Sequence, residues 1–360
     1  MTEHIMEDEM IFINLYKNLL VEEKGAVSVI TAVILFFVLI GVAALAIDIG
    51  RTATTKNELQ NIADAAALAG ATELGMQHRA KNYPIDKDKV TNEAIKVVAA
   101  NVVAGNKFSE DQWKNNVEIE IGFWLDGEFS NYPKLFLTKE NAVRVTLSLS
   151  NFDGLINNFF AQGEGISRVS AKATAALTGA GKIDEGKSIP VGISKYWFEY
   201  FGNAACDQNI KFYPTNTIEG CAGWNTYKET PANASRLRDI LENLDERSPE
   251  ITIGDKLVFI GGTVSSAIDH PTHFDFKQLY EENKDDDGEW LTNVVVYDRD
   301  DCSNPNEALT ILGFATTRVF NVTGSPDHVV EATLVCEEYV EAKGGGGIYG
   351  TYGVIPNLVE

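Results

Sequence analysis

The sequence predicts an α+β protein: a single N-terminal transmembrane helix continuing into a small α+β layer domain, followed by a β-rich second domain. Three observations carry that prediction. Residues 26–47 form a run of 22 positions without a charged side chain. Beyond residue 103, helical three-and-four spacing gives way to stretches of strict period-two alternation. Beyond residue 180 the chain turns acidic and becomes dense in turn signals.

The apolar run is about 33 Å long as a helix, against a hydrocarbon core of roughly 30 Å. Glu22, Glu23 and Lys24 precede it, and Asp48 and Arg51 follow it. A cleaved signal peptide is the competing reading, but its apolar stretch is usually about 7–15 residues and lies nearer the start. The run is therefore read as a retained anchor behind a 25-residue cytoplasmic leader. Lys17 and Lys24 on one side balance Arg51 and Lys56 on the other, so positive charge does not set the orientation.

Past Asp48 no helix breaker intervenes. Leu59, Ile62, Ala66 and Ala69 fall at spacings of three, four and three and form one apolar seam. A single helix over about 27–75 follows, half in lipid and half in water. Its Ala-rich stretch 65–71 admits a close neighbour, either within its own domain or on another subunit. A second helix is read over about 87–103, with Ile95, Val98 and Val102 on one face. Val117, Ile119 and Ile121 then alternate with Glu118 and Glu120; Val143, Val145, Leu147 and Leu149 alternate with Arg144, Thr146 and Ser148. A short helix over 152–160 burying Leu155, Ile156, Phe159 and Phe160 comes next. A strand with Val169, Ala171, Ala173 and Ala175 inward closes this layer.

In the second half, strands are expected at 256–260, 294–297, 309–322 and 329–336, with a helix at 234–244 carrying Leu237, Ile240, Leu241 and Leu244. Gly344–Gly347 reads as a flexible connector. The organisation expected is a leader (1–25), the membrane helix (26–47), a helical extension with an α+β domain (48–180) and an acidic β-rich domain (181–360).

Composition excludes some functions. The chain has 52 acidic and 30 basic residues, a net charge of −22, which repels phosphate backbones and argues against nucleic-acid binding. Of this, −16 lies after residue 180 and only −1 in 51–180. The same acidic half holds all four cysteines, Cys206, Cys221, Cys302 and Cys336. Cysteines in even number on one side of a span point to disulfides in an oxidising compartment, placing that half outside the cytoplasm. Three pairings are open. The local one, Cys206–Cys221 with Cys302–Cys336, is preferred. Zinc is disfavoured because no C-x-x-C spacing occurs.

Signatures of catalysis are sparse: no G-x-S-x-G, H-E-x-x-H, Walker A or dinucleotide fingerprint is present. His270 and His273, with Asp275, are the one candidate metal set for a hydrolase, and Pro271 between the histidines argues for a turn instead. Asp285-Asp286-Asp287-Gly288-Glu289 lacks the alternating oxygens of a calcium loop and reads as a solvated turn. Asp298, near Asp300 and Asp301, is expected to order the loop to Cys302. Asp48 and Arg51, three apart, are placed to pair at the membrane edge for about 0.2–0.5 kcal/mol. No cofactor is expected.

The stretch Lys24-Gly25-Ala26-Val27-Ser28, the apolar span, Asp48-Ile49-Gly50-Arg51 and Leu59-Gln60-Asn61-Ile62-Ala63-Asp64-Ala65-Ala66-Ala67-Leu68-Ala69-Gly70-Ala71 resembles the N-terminus of TadG-like proteins. These are TadE/TadG-like components of the tight-adherence (Flp, type IVc) pilus system. Weaker resemblance continues through Gly122-Phe123-Trp124, Asn141–Thr146, Val169–Ala173, Gly220–Trp224, Val294–Asp298 and Gly313–Ala315. The resemblance implies a non-enzymatic, single-pass inner-membrane protein with a periplasmic domain, assisting pilus assembly or surface attachment. Its implied partners are pilus-assembly or pilin-like subunits, met through the helical extension. A pilin-like adhesin or filament subunit is the alternative, and an extracytoplasmic metal-dependent hydrolase a second. Two departures limit the resemblance. Some pilin relatives are cut after a Gly with Glu five residues on; here Ile30 occupies that place after Gly25, so the leader is expected to stay. The D-x-S-x-S metal motif of a von Willebrand A domain, present in some TadG relatives, does not occur.

Overall fold

The computed structural model describes residues 3–103, 105–107, 115–125, 127–133, 137–152, 166–213, 215–261 and 264–360, with side chains from Val27 onward. Helices in chain order are α1 (Glu3–Arg79), α2 (Lys87–Ala100), α3 (Lys195–Phe201), α4 (Ala234–Glu242), α5 (Leu244–Arg247), α6 (Ser265–Ile268) and α7 (Phe276–Asn283). Strands are β1 (Val102–Val103), β2 (Asn106–Lys107), β3 (Val117–Leu125), β4 (Glu128–Ser130), β5 (Ala142–Phe152), β6 (Ile166–Ala176), β7 (Gly179–Ala180), β8 (Lys182–Ile183), β9 (Ser188–Ser194) and β10 (Asn209–Lys211). They continue as β11 (Ala222–Trp224), β12 (Ile251–Thr252), β13 (Lys256–Val258), β14 (Trp290–Tyr297), β15 (Ala308–Thr323), β16 (Val329–Val335), β17 (Glu338–Gly346), β18 (Thr351–Ile355) and β19 (Asn357–Leu358). The chain is α+β. Of the helix expected at 152–160, Phe152 ends β5 instead and 153–160 lie outside the described residues.

Two compact units are present. The first comprises Met1–Leu59, Val103–Asn106 and Ser148–Ser170. It carries the outer part of α1, where the large apolar side chains from Val27 to Ile49 are 42–63% exposed. Water does not tolerate so continuous an apolar surface, whereas a helix with all its backbone groups internally bonded is the form that lipid accepts. This is the one helix among the described residues long and apolar enough to cross a membrane.

The second unit comprises Gln60–Val102, Lys107–Leu147 and Ala171–Glu360. Within it, Ile62, Ala63, Ala66, Ala67, Ala71 and Leu74 on α1 are buried. The small residues serve close packing inside the chain: a Cβ on Gly70 would sit 3.0 Å from Val143 Cγ1 and 3.5 Å from Ala94 Cβ. Helix α1 ends where Lys81 turns to φ 52° and Asn82 N donates to the Gln77 carbonyl at 3.1 Å. Asp86 caps α2 by accepting from Lys89 N at 3.0 Å, and its own N–H donates to Gln77 Oε1 at 2.7 Å. The buried face of α2 is Val90, Ala94 and Val98, not the expected Ile95–Val98–Val102 face. Asn101 takes an extended backbone and stops the helix at Ala100, so Val102 leaves the helix and is 50% exposed.

A five-stranded sheet runs β19-β6-β5-β3-β4. Val143, Val145 and Leu147 point inward from β5 and Ala171, Ala173 and Ala175 from β6, all buried. The alternation read from the sequence is this sheet's core face. Its outer edge is the chain's own C-terminal stretch, Asn357 pairing Ala176 and Leu358 pairing Ala175.

The larger sheet runs β10-β16-β15-β14-β9-β11, with β13 added on β15. All its pairings are antiparallel except β9 with β14. Both faces are covered. Val294 and Val296 belong to one buried cluster with Trp197, Trp224 and Phe276; Val295 and Tyr297 belong to another with Phe259 and Phe314. Continuous apolar runs such as Val294–Tyr297 are what a two-sided burial requires. The Gly344–Gly347 stretch is not a connector: Gly344, Gly345 and Gly346 end β17, which with β18 and β7 forms a ring of three mutually paired strands. A Cβ on Gly346 would collide with the Ala180 carbonyl, and one on Gly179 with the Gly347 carbonyl. Glycine is used here for backbone-to-backbone contact.

Candidate functional site

Asp48, at the end of the apolar stretch, is buried, and Arg51 one turn on is exposed. Leu59, Ile62 and Ala66 of the seam are buried at 0, 4 and 0% exposure and Ala69 is half-buried. Ile62 and Ala66 lie on the face of α1 turned into the second unit. The seam therefore serves the fold of the chain itself and leaves those side chains unavailable to another subunit.

The inner end of α1 is locked by a side-chain cluster. His78 is buried, and its Nε2 lies 2.6 Å from the Glu140 carbonyl oxygen. A carbonyl only accepts, so Nε2 carries the proton and Nδ1 is free to accept from the Tyr83 hydroxyl at 3.1 Å. The imidazole stacks on Tyr339 with centroids 4.2 Å apart and planes 6° from parallel, and Tyr339 stacks on Tyr352 at 5.4 Å. Burial lowers the His78 pKa, against the opposing pull of the Glu140 carbonyl. Beside it, Glu337 accepts from Thr138 N at 2.5 Å, Thr138 Oγ1 at 2.6 Å and Lys139 N at 2.9 Å. Asn141 works similarly in the sheet. Its amide donates to the Trp124 and Leu177 carbonyls at 3.1 and 3.0 Å, and its oxygen accepts from Trp124 N at 2.7 Å.

The four cysteines form two disulfides, paired otherwise than the local expectation: Cys206–Cys336 and Cys221–Cys302, 130 and 81 residues apart. Sheet order is the reason. Strand β10 lies beside β16, with Asp207 N donating to Leu334 O at 3.0 Å, so Cys206 reaches Cys336. Strand β11 pairs β9, which runs parallel to β14, so Cys221 reaches the loop after Tyr297 and its Cys302.

The candidate metal set does not assemble. The His270 and His273 rings are 4.6 Å apart, yet the Asp275 carboxylate is spent on backbone. One of its oxygens accepts from His270 N at 2.7 Å, and the other caps α7 by accepting from Gln278 N at 2.9 Å. Among the described residues no group of three potential ligands is close enough to hold a metal. In the acidic loop, Asp285 accepts from Asp287 N at 3.1 Å and Glu289 N at 2.8 Å, closing a turn on itself. Asp298 and Asp300 share Lys195 Nζ at 2.8 and 2.9 Å, which ties the start of the loop. Further along the loop, Asp301 accepts from Ser303 Oγ at 2.6 Å, Arg299 Nε at 2.8 Å and Ser303 N at 3.0 Å. Those bonds, Ser303's first, hold its pKa down at about 2.

Sequence reasoning did not find the concave surfaces, whose walls come from elements distant in the chain. A cleft of about 540 Å³ lies between α4–α5, α7 and β14. Leu241, Leu244, Phe274 and Trp290 form its apolar part, and Glu242, Asp245 and Glu282 stand at its lip with no ion pair among the described residues. Lys187 also lines this cleft.

The chain joins an exposed apolar helix to an α+β body that carries two disulfides. Residues 25–73 match the Flp pilus-assembly TadE/G-like family, and residues 69–175 match the Tad-like Flp pilus-assembly family. Over residues 25–175 the chain is therefore similar to TadE/G-like and Tad-like Flp pilus-assembly proteins. The two matches meet on α1 and end in β6, so the larger sheet lies outside both. No curated protein and no solved structure matches the chain significantly.

Proposed function

We propose that this chain is a non-enzymatic, membrane-anchored component of pilus assembly or surface attachment that acts through protein contacts. Residues 26–47 would cross the inner membrane, with the leader in the cytoplasm and the disulfide-bonded body outside. The observation that carries the reading is the change of character along α1. Its outer part exposes apolar side chains all round, while its inner part is buried by its own domain. Because the inner seam is occupied, partner subunits would meet the exposed sides of α1 or the acid-lipped cleft between α4–α5, α7 and β14. The pilin-like alternative needs a free seam for helix packing, which the burial of Ile62 and Ala66 disfavours.

Fractionation of the native host tests the reading. The chain should stay with the inner membrane after alkaline carbonate washing. A protease added to spheroplasts should digest the body while sparing the leader. Recovery in sheared extracellular filaments would instead assign it as a filament subunit.

A further inference from the structure

On the far edge of the larger sheet lies a second cleft of about 540 Å³, within the roughly 300–1,000 Å³ of small-molecule sites. Its chemistry is unlike that of the first. One wall is aromatic: Tyr200, at the end of α3, is 60% exposed, its ring in edge-on contact with Phe201, centroids 5.1 Å apart. The facing wall is polar and carries both donors and acceptors. It includes Asp207, Gln208, Asn209 and Lys211 from β10 and the turn before it, with Glu219 and Glu331 alongside. Asn209 Oδ1 is engaged by the Thr333 hydroxyl at 2.8 Å, which turns the amide's nitrogen to the other side as a donor. Lys211 Nζ lies 3.5 Å from Glu219.

This wall does not drift. Cys206–Cys336 ties down its start, Asp207 is held in the left-handed region at φ 61°, and Asn209, Ile210 and Lys211 pair with Thr333, Ala332 and Glu331.

The lining excludes most ligand classes. Three carboxylates repel phosphates and anionic polymers. Lys211 already takes up one of them, Glu219, at 3.5 Å, which disfavours a cation. The wall offers too many polar groups for a lipid chain. A pyranose sugar satisfies every element. The C–H face of its ring packs on the electron-rich face of an aromatic ring. Its hydroxyls each donate and accept, as the mixed carboxylate, amide and ammonium wall requires. We propose that the Tyr200 cleft is a binding site for an uncharged oligosaccharide of pyranose units. The proposal stands apart from the pilus role, since a soluble adhesin could carry the same site.

The test uses the full chain, purified in a zwitterionic detergent, because alkyl-glycoside detergents would compete. Saturation-transfer NMR is run against maltotriose, cellotriose and the trimer of N-acetylglucosamine. At least one should receive magnetisation at its ring C–H protons. Tyr200→Ala should weaken that binding about tenfold, the effect of losing roughly 1.4 kcal/mol, near the upper end for aromatic stacking. Tyr200→Phe, which keeps the ring, should stay within about threefold. Gln208→Ala, a change in the polar wall at a half-buried position, should also weaken it. Failure of all three sugars to bind, or binding indifferent to both Tyr200→Ala and Gln208→Ala, overturns the proposal. So does stronger, salt-sensitive binding of a lysine tripeptide, which would make the cleft an ion-pair site.

Discussion

His78 is the residue in which helix, sheet and charge meet. Its ring bonds the carbonyl before Asn141, stacks on Tyr339 and receives the Tyr83 hydroxyl, so its neutral form is built into the fold. Protonation would make Nδ1 a donor facing a hydroxyl, beside the Lys139 ammonium. The Glu140 and Glu337 carboxylates nearby oppose that effect without overcoming burial. With the folded pKa below the unfolded value near 6.5, the unfolded chain binds the extra proton first. The contribution of His78 to stability is therefore complete above pH 6.5 and is lost as pH falls from there through the folded pKa. Urea unfolding of the wild type should show a midpoint that drops between pH 7 and 5. His78→Phe, which keeps the stack but has no proton to gain, should lower the midpoint at pH 7 and flatten that slope. An unchanged slope would show that other groups set the acid sensitivity. Nothing in the sequence distinguishes this histidine from the other four; its role depends on Tyr339, 261 residues away, so the residue pattern around it is silent.

At the scale of elements, local periodicity and long-range contact carry different information. The alternation of β5 and β6 and the Leu237–Ile240–Leu241 face of α4 were legible because one repeating face meets one core. The face of α2 was not, because the decisive residue is Asn101: once it leaves the helix, the apolar register shifts from Ile95–Val102 to Val90–Ala94–Val98. The glycine run shows the opposite failure. Composition alone makes four glycines a flexible linker, yet β17 uses them where the backbones of β7 and β17 nearly touch. Gly346→Ala should accordingly destabilise the protein by about 2–4 kcal/mol, since its Cβ has only the Ala180 backbone to displace. Gly254→Ala, in open space but at φ 87°, should lose only about 1–2 kcal/mol from backbone strain. Equal losses in thermal unfolding would mean that the close approach of β7 and β17 is not what Gly346 serves.

For the whole molecule, the cysteines mattered less for their number than for the order of the sheet. The disulfide Cys221–Cys302 is nested within the span of Cys206–Cys336. Each closes a loop long enough that the chain-entropy account assigns it about 4–5 kcal/mol, against about 3 for the 15-residue loop of the local pairing. Nested loops share their chain, so the two terms do not add in full. A pairing that spans the sheet also couples the edge strand β10 to β16, whereas local links would have left each hairpin to itself. The predicted consequence is cooperative. Peptide mapping of the unreduced chain should return Cys206–Cys336 and Cys221–Cys302. Replacing Cys206 and Cys336 together by Ala should lower stability by about 2–5 kcal/mol. Hydrogen exchange should then quicken first along 206–213 and 329–336, the strands that disulfide binds, while β3, β5 and β6 keep their protection. Recovery of the local peptides instead, or a loss of protection spread evenly over both sheets, would show that the bond does not organise this edge. The acid fits the same picture: its −16 is carried by the half that these two bonds brace, so a strongly self-repelling surface is laid over the part of the chain most firmly cross-linked.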